Sequence, residues 1–517
     1  MCGIFAILNP SHEMNVIDSF MKGSHRGPDQ TETMDVDSVW LGFHRLAING
    51  ISGTQPFCIH GIYLVCNGEV YNYKELLTEL SVQPQTSSDC EVILHLYEKY
   101  GIEQTLHMIN ASEFAFVLYD SNTKMMYSAR DPYGVRPLFK GICGESVCYA
   151  SEMKMFPTGF AIQPVIPGTW SDGITTTHYC SLPSIHYGIN PYQLVRNTLY
   201  DCVKKRVVNT DRPIACLLSG GLDSSLIASI VNECRKELAI AEPLETYSIG
   251  LEGSVDLYYA SIMATYLGSK HTSIVMRETE FLESIPEVIY ALESRDTTTV
   301  RASVGNFLVA KYIKENSSAK VIFNGDGADE VCGGYLYLNM APSTIEFDKE
   351  CRRLVKDIHY FDALRSDRCI SYHGLEARTP FLDRAFVETY LSIPVEFRRT
   401  RMEKELLRET FSDILPTEIR YRKKEAFSDG VSSLNNSWYS IIQTHISTFF
   451  EQEYRDSGTD LTMEQYYYKR IFDNYYCDWV PYFWMPKYTT TKECSARALE
   501  NYGIPPPCKL ERCVNTL

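Results

Sequence analysis

Short apolar runs at 3–8, 39–43, 62–66, 115–119, 125–128 and 146–150, each bounded by turn-forming residues, predict a β-rich start to the chain. Stretches near 74–80 and 91–100 carry apolar residues at helical spacing and predict helices. That mixture suggests sheets packed face to face with helices outside, a layered α+β arrangement. Pro157, Pro164, Pro167 and Gly168 then lead into a Thr/Ser/Pro-rich stretch ending near residue 190, dense punctuation that marks the exit from a domain. Pro191 opens a helix with Leu194, Leu199, Cys202, Val203 and Val207 on one face.

Beyond that point the pattern alternates. It predicts strand 214–218, helix 224–238, strand 246–250, helix 256–267, strand 271–276, helical regions to about 316 and strand 321–324. This βαβ rhythm implies a parallel α/β sheet with helices on both faces. The chain therefore divides into 1–188 and 189–517, with the join near 185–191.

Composition narrows the partners. A length of 517 residues leaves ample core for two domains, and the net charge of −16 comes without a basic cluster. That balance argues against nucleic acid or an anionic membrane as the main partner. No run approaches the roughly 18 apolar residues of a membrane span. Seventeen cysteines are scattered and odd in number, with no paired Cys-x-x-Cys spacing for zinc. Met1-Cys2-Gly3-Ile4-Phe5 lacks the features of a secretory signal, so a reduced, cytoplasmic chain is expected.

The clearest chemical signal is the loop Ser219-Gly220-Gly221-Leu222-Asp223-Ser224-Ser225 between a buried strand and a helix bearing Leu226, Ile227, Ile230, Val231, Cys234 and Leu238. Such a loop aims free backbone N–H groups and a helix N-terminus at an anion. It lacks the Lys-Ser/Thr ending of a Walker A sequence, and Asp223 instead offers a carboxylate for Mg²⁺. A later strand ends in Asn324-Gly325-Asp326-Gly327-Ala328-Asp329-Glu330, where Asp329 is a candidate to share that ion. An acidic surface turn reads the same way.

In the first half, Cys2 would share its residue with a free α-amine once Met1 is removed. An α-amine of pKa about 7.7–8.0 can take the thiol proton, the N-terminal-nucleophile solution; a buried structural cysteine is the plain alternative. Arg45 could bind the carboxylate of a free amino acid, and Glu69 and Asp89 its ammonium. Asn67 and Gly68 could supply a side-chain amide and a backbone N–H to an oxyanion, although Asn-Gly is also a hairpin signal.

Met1-Cys2-Gly3-Ile4-Phe5, His25-Arg26-Gly27-Pro28-Asp29, Asn67-Gly68-Glu69-Val70-Tyr71-Asn72 and Ser88-Asp89-Cys90-Glu91 resemble the glutaminase domain of class II glutamine amidotransferases. The resemblance implies an αββα N-terminal-nucleophile fold in which Cys2 attacks the side-chain amide of glutamine. Arg45, Leu46, Ala47, Ile48, Asn49, Asn67, Gly68, Glu69 and Asp89 would hold the substrate. The 219–225 loop resembles the pyrophosphate loop of N-type ATP pyrophosphatases. Joined behind a glutaminase, and with Thr298–Arg301, Gly374–Asp383 and Arg422–Gly430 matching as well, it resembles the glutamine-hydrolysing asparagine synthetase family.

That family resemblance implies ATP and Mg²⁺, aspartate as the acceptor, a β-aspartyl-AMP intermediate and a homodimer. It carries ATP contacts onto Leu217, Ser219, Gly220, Gly221, Asp223, Ser224, Ser225, Ile249, Asn324, Gly325 and Lys424. Asp223 and Asp329 would hold the metal, Arg301 would supply positive charge, and Asp326 would assist amide formation. Ammonia has to be kept from bulk water, so a covered passage lined by uncharged groups is expected. Two departures stand out. The family's Gly-Met-Phe-Ala-Phe reads Ser112-Glu113-Phe114-Ala115-Phe116, outside the glutamine contacts and expected to be a packing or strand-entry change, and its Ser-Gly-Glu-Gly reads Asn324-Gly325-Asp326-Gly327, one methylene shorter at the glutamate. Amidation of another carboxylate by the same two-site build is the alternative function.

Overall fold

The computed structural model describes residues 1–476 apart from 51, 111 and 189, together with 484 and 486–488. In the first half, strand Gly3–Leu8 lies between Ser146–Ala150 and Val39–Arg45. Phe139–Cys143 and Ala161–Pro164 extend this antiparallel sheet on one side and Gln30–Val36 on the other, six strands in all. A second six-stranded antiparallel sheet runs Thr176–His178, Thr169–Ser171, Met125–Arg130, Ser112–Asp120, Ile62–Val70, Phe57–Ile59.

Successive side chains of a strand point to opposite faces. Ile4 and Ala6 therefore meet Val65, Ala115 and Val117 between the sheets, while Phe5 and Ile7 join Phe20 and Trp40 outside. All four are fully buried, so the run reads as unbroken apolar rather than alternating. Helices Tyr73–Leu80 and Val92–Met108 cover the outer face of the second sheet through Leu76, Ile93 and Leu96.

The second half is built on a five-stranded parallel sheet in the order Lys270–Met276, Glu245–Leu251, Ile214–Leu217, Val321–Phe323, Glu376–Arg378. Helices Pro191–Val208 and Leu222–Glu237 cover one face, and Glu278–Leu292 and Thr297–Asn316 the other. Strand order reverses on either side of Ile214–Leu217, which opens a crevice at that strand's carboxyl end.

Two sequence expectations need extending. Gln30–Val36 escapes the apolar pattern because none of its residues is buried and Thr31, Glu32 and Thr33 are exposed and polar. Glu376–Arg378 escapes it because two of its three residues are charged, yet all three are buried.

The halves meet through buried ion pairs as well as through apolar clusters that both share. Arg26 reaches Glu152 and Asp367, Arg368 reaches Glu152 and Glu293, and the Glu293 carboxylate accepts from the N–H groups of Met153 and Lys154. Glu113 takes Arg136 of its own half at 3.2 Å and Arg206 of the other, which also binds Asp383. The departure at residue 113 is thus a tie between halves, more than a packing change. Removing one member of a buried ionic cluster leaves its partners uncompensated. Glu113→Gln is therefore expected to lower stability by about 3 kcal/mol, read as a lower urea midpoint.

Candidate active sites

Cys2 sits one residue before the central strand of the first sheet, and the cavity beside it, of about 30 Å³, lies between the two sheets' strand ends. Arg45, Leu46, Ile48, Asn49, Gly68, Glu69 and Asp89 line it with Cys2. Ala47 and Asn67 are outside the lining; the Ala47 N–H donates to Asp29 at 2.9 Å and its carbonyl accepts from Arg212 at 2.7 Å, so it fixes the loop.

The Asn67 carboxamide oxygen accepts from Cys2 N–H at 2.9 Å, while its Nδ2 is buried without a hydrogen-bond partner among the described residues. A buried orphan donor beside a nucleophile is poised for a charge that develops only during reaction. Gly68 is required sterically: a Cβ there would lie 2.5 Å from the Glu113 carbonyl on the neighbouring strand. Leu46 N–H lies 3.4 Å from Cys2 Sγ. Burial pushes the Cys2 thiol up to about 11 despite the nearby N-terminal ammonium and the Leu46 contact. Met1 itself is buried, its ammonium 3.4 Å from Glu376.

Asn49 Nδ2 bridges Glu69 at 2.8 Å and Asp89 at 3.4 Å. Burial raises both carboxyls above their usual range, Glu69 further because Asp89 is close. Two such groups sharing a pocket favour an incoming cation of ammonium size. Arg45, whose guanidinium donates to the carbonyls of Gly50 and Ser52, lines the same cavity.

The larger cavity, about 170 Å³, opens at the carboxyl ends of the parallel strands. Leu217, Ser219, Gly221, Asp223, Ser224, Ile249, Asn324, Gly325, Asp326, Asp329 and Lys424 line it. Two loop residues serve it from behind. Gly220 has φ +69°, and a Cβ there would strike the Tyr259 backbone at 2.3 Å. Ser225 is buried in the first helical turn, its N–H donating to Gly221 O at 3.1 Å.

Arg301 is a correction. Along Thr297–Asn316 the residues facing the cavity are Thr298, Ala302, Asn306 and Val309, spaced by three or four. Arg301 falls off that face and its buried guanidinium pairs with Glu464 and lies over Tyr439. It is not among the residues that line the cavity.

Charge is supplied instead by Lys404, in a segment with no recognisable motif. Its Nζ lies 2.6–2.7 Å from both Asp223 oxygens and 2.6 Å from Asp329 Oδ1, and Lys424 Nζ lies 2.6 Å from Asp329 Oδ2. Although burial opposes it, Lys404 and Lys424 hold Asp329 well below the usual carboxylate range. Asp223 and Asp329 thus converge on one cationic point, and two such carboxylates together with phosphate oxygens are the donor set Mg²⁺ takes. Asp326 Oδ1 accepts from Arg365 at 2.9 Å, and its Oδ2 is buried without a partner among the described residues. The Thr298 hydroxyl, on the cavity face, is likewise unpartnered among them.

Two kinds of comparison agree on the build. A glutamine amidotransferase domain model matches residues 1–191, and an asparagine synthase model matches 194–346 and 339–480. Proteins named asparagine synthetase [glutamine-hydrolyzing] from Cricetulus griseus and Homo sapiens are each 39% identical over 97% of this chain and 99% of their own. The protein of that name from Rattus norvegicus is 40% identical over the same shares.

Proposed function

The chain belongs to the glutamine-hydrolysing asparagine synthetase family, and from that premise we propose how its two cavities divide the synthesis of L-asparagine from L-aspartate, glutamine and ATP. The first half, taken as 1–188, is the glutaminase, and 189–517 the synthetase. The lack of helix or strand between His178 and Pro191 among the described residues supports that division.

Once Met1 is removed, the Cys2 α-amine takes the thiol proton and Sγ attacks the side-chain carbonyl of glutamine. Asn67 Nδ2 and Gly68 N–H donate to the oxyanion. Ammonia leaves, and water then hydrolyses the thioester to glutamate. Arg45 holds the substrate carboxylate, and Glu69 and Asp89 its ammonium. The observation that carries this reading is the orphaned Asn67 Nδ2 of a carboxamide whose oxygen is held by the Cys2 backbone N–H.

In the second cavity the β-carboxylate of aspartate attacks the α-phosphorus of ATP, releasing pyrophosphate and leaving β-aspartyl-AMP. Ser219, Gly221 and Ser224 face the departing phosphates from the helix N-terminus, with Lys404 and Lys424 beside them. Mg²⁺, when held by Asp223 and Asp329, would neutralise phosphate charge. Ammonia attacks the acyl carbon, Asp326 accepts a proton from it, and AMP leaves. Arg365 fixes the Asp326 carboxylate, which supports the shorter side chain in this role.

The test supplies glutamine, aspartate, ATP and Mg²⁺ and follows all products together. Glutamate, asparagine, AMP and pyrophosphate are expected in equal amounts, and recovery of ADP and phosphate would overturn the adenylate. In the same assay with ammonium salt, Asp326→Asn is expected to slow asparagine formation by about 100-fold; an unaltered rate would remove Asp326 from the mechanism.

No helix among the described residues is long and apolar enough to cross a membrane, and their cysteines are unpaired. Those thiols fit a reducing compartment, so we read the enzyme as cytoplasmic. The homodimer implied by the resemblance is carried forward with it. The cysteines at 477, 494, 508 and 513 lie outside the described residues.

A further inference from the structure

We propose that Asp367, in the synthetase half, is a positioning residue for the glutaminase nucleophile, so that the first cavity is completed by the second domain. The proposal rests on the glutaminase reading of Cys2.

Arg26 Nε donates to the carbonyl of Cys2 at 2.9 Å. The Cys2 backbone is thereby held at two points, by Arg26 at its carbonyl and by Asn67 at its nitrogen. Arg26 is fully buried, and a guanidinium so placed needs its remaining donors fixed. Asp367 fixes them in a bidentate pair, Nη1–Oδ2 at 2.8 Å and Nη2–Oδ1 at 2.9 Å, with Ser371 Oγ at 3.0 Å and Glu152 at 2.8 Å from Nη1. The two-pronged match sets the plane of the guanidinium and hence the direction of Nε. Burial works against the charge, yet Asp367 and Glu152 more than restore it.

Asp367 lies on helix Asp362–Ser371. The same helix turns Asp362 and Arg365 into the synthetase cavity, and Ser366 Oγ accepts from Asn324 Nδ2 at 2.6 Å. Asp367 and Ser371, one turn apart, face the other way onto Arg26. A single element thus touches the acceptor site on one side and the nucleophile's support on the other. About 1 Å of misplacement at a reacting group costs on the order of 100-fold, so a slackened Arg26 acts on turnover more than on binding.

The experiment measures glutamate release from glutamine and asparagine formation from ammonium salt in one preparation. Asp367→Asn is expected to lower glutaminase kcat at least tenfold, with KM for glutamine within threefold and ammonia-supported synthesis within twofold. Asp367→Glu, which keeps the charge but shifts it, should recover part of that kcat. Equal losses in both activities, or an unchanged glutaminase kcat, would overturn the proposal. If Asp367→Asn is insoluble, Ser371→Ala reads the same split at smaller amplitude, and no loss of kcat there and in Asp367→Glu would equally overturn it. A wild-type chain that releases no glutamate would instead overturn the glutaminase reading itself.

Discussion

Cys2→Ala is expected to reduce glutamine-dependent asparagine formation by about 10⁴-fold, while synthesis from ammonium salt stays within about twofold. The nucleophile has no substitute in its cavity. Cys66 and Cys90 also line it, but both are buried, and the Cys90 Sγ is turned onto the Gly68 carbonyl at 3.3 Å. Burial leaves the Cys2 thiol protonated at neutral pH, so its reactivity depends on a base at its own α-nitrogen. A chain retaining Met1 has an amide there, which takes no proton. It should behave like Cys2→Ala in the glutamate-release assay, and glutaminase activity in a chain shown by mass to retain Met1 would exclude the mechanism.

Asp329→Asn should produce the opposite pattern, with loss of about 10³-fold in synthesis from either nitrogen source and glutamate release retained. Asp329 answers two ammonium groups at once, Lys404 and Lys424, from opposite oxygens. Because its folded pKa lies below the ordinary carboxylate value, its contribution to stability is present above that ordinary value and is lost only as pH falls through the folded one. It is therefore ionised at any working pH, and the asparagine variant removes a full charge rather than a fractional one. Lys404 would retain Asp223, but Lys424 would lose its carboxylate contact. Aspartate-dependent pyrophosphate release reads this step alone, and a variant that still released pyrophosphate at the wild-type rate would move the metal and phosphate site elsewhere.

The elements that contain chemistry were the most legible in the sequence. Gly3–Leu8 and Ser146–Ala150 follow their apolar runs residue for residue, since both faces of those strands are covered. The 219–225 loop could be placed because strand, glycines and helix must occur together there. Less legible were positions whose role depends on the other half. Arg26 stands in a quoted motif, but nothing local reveals that its partner is 341 residues away. Lys404 has no motif at all and acquires its place only through tertiary packing of an irregular stretch. Arg301 misled for a related reason: its motif faces the cavity, but one residue along a helix turns a side chain by about 100°.

Strand Glu376–Arg378 closes the parallel sheet, and from that position Arg378 reaches Glu69 while Glu376 meets the amino terminus. The last strand laid down in one domain is therefore part of the wall of the other. Were the chain cut between the halves, the two pieces would have to stay associated for Glu69 to keep Arg378 and for Glu113 to keep Arg206.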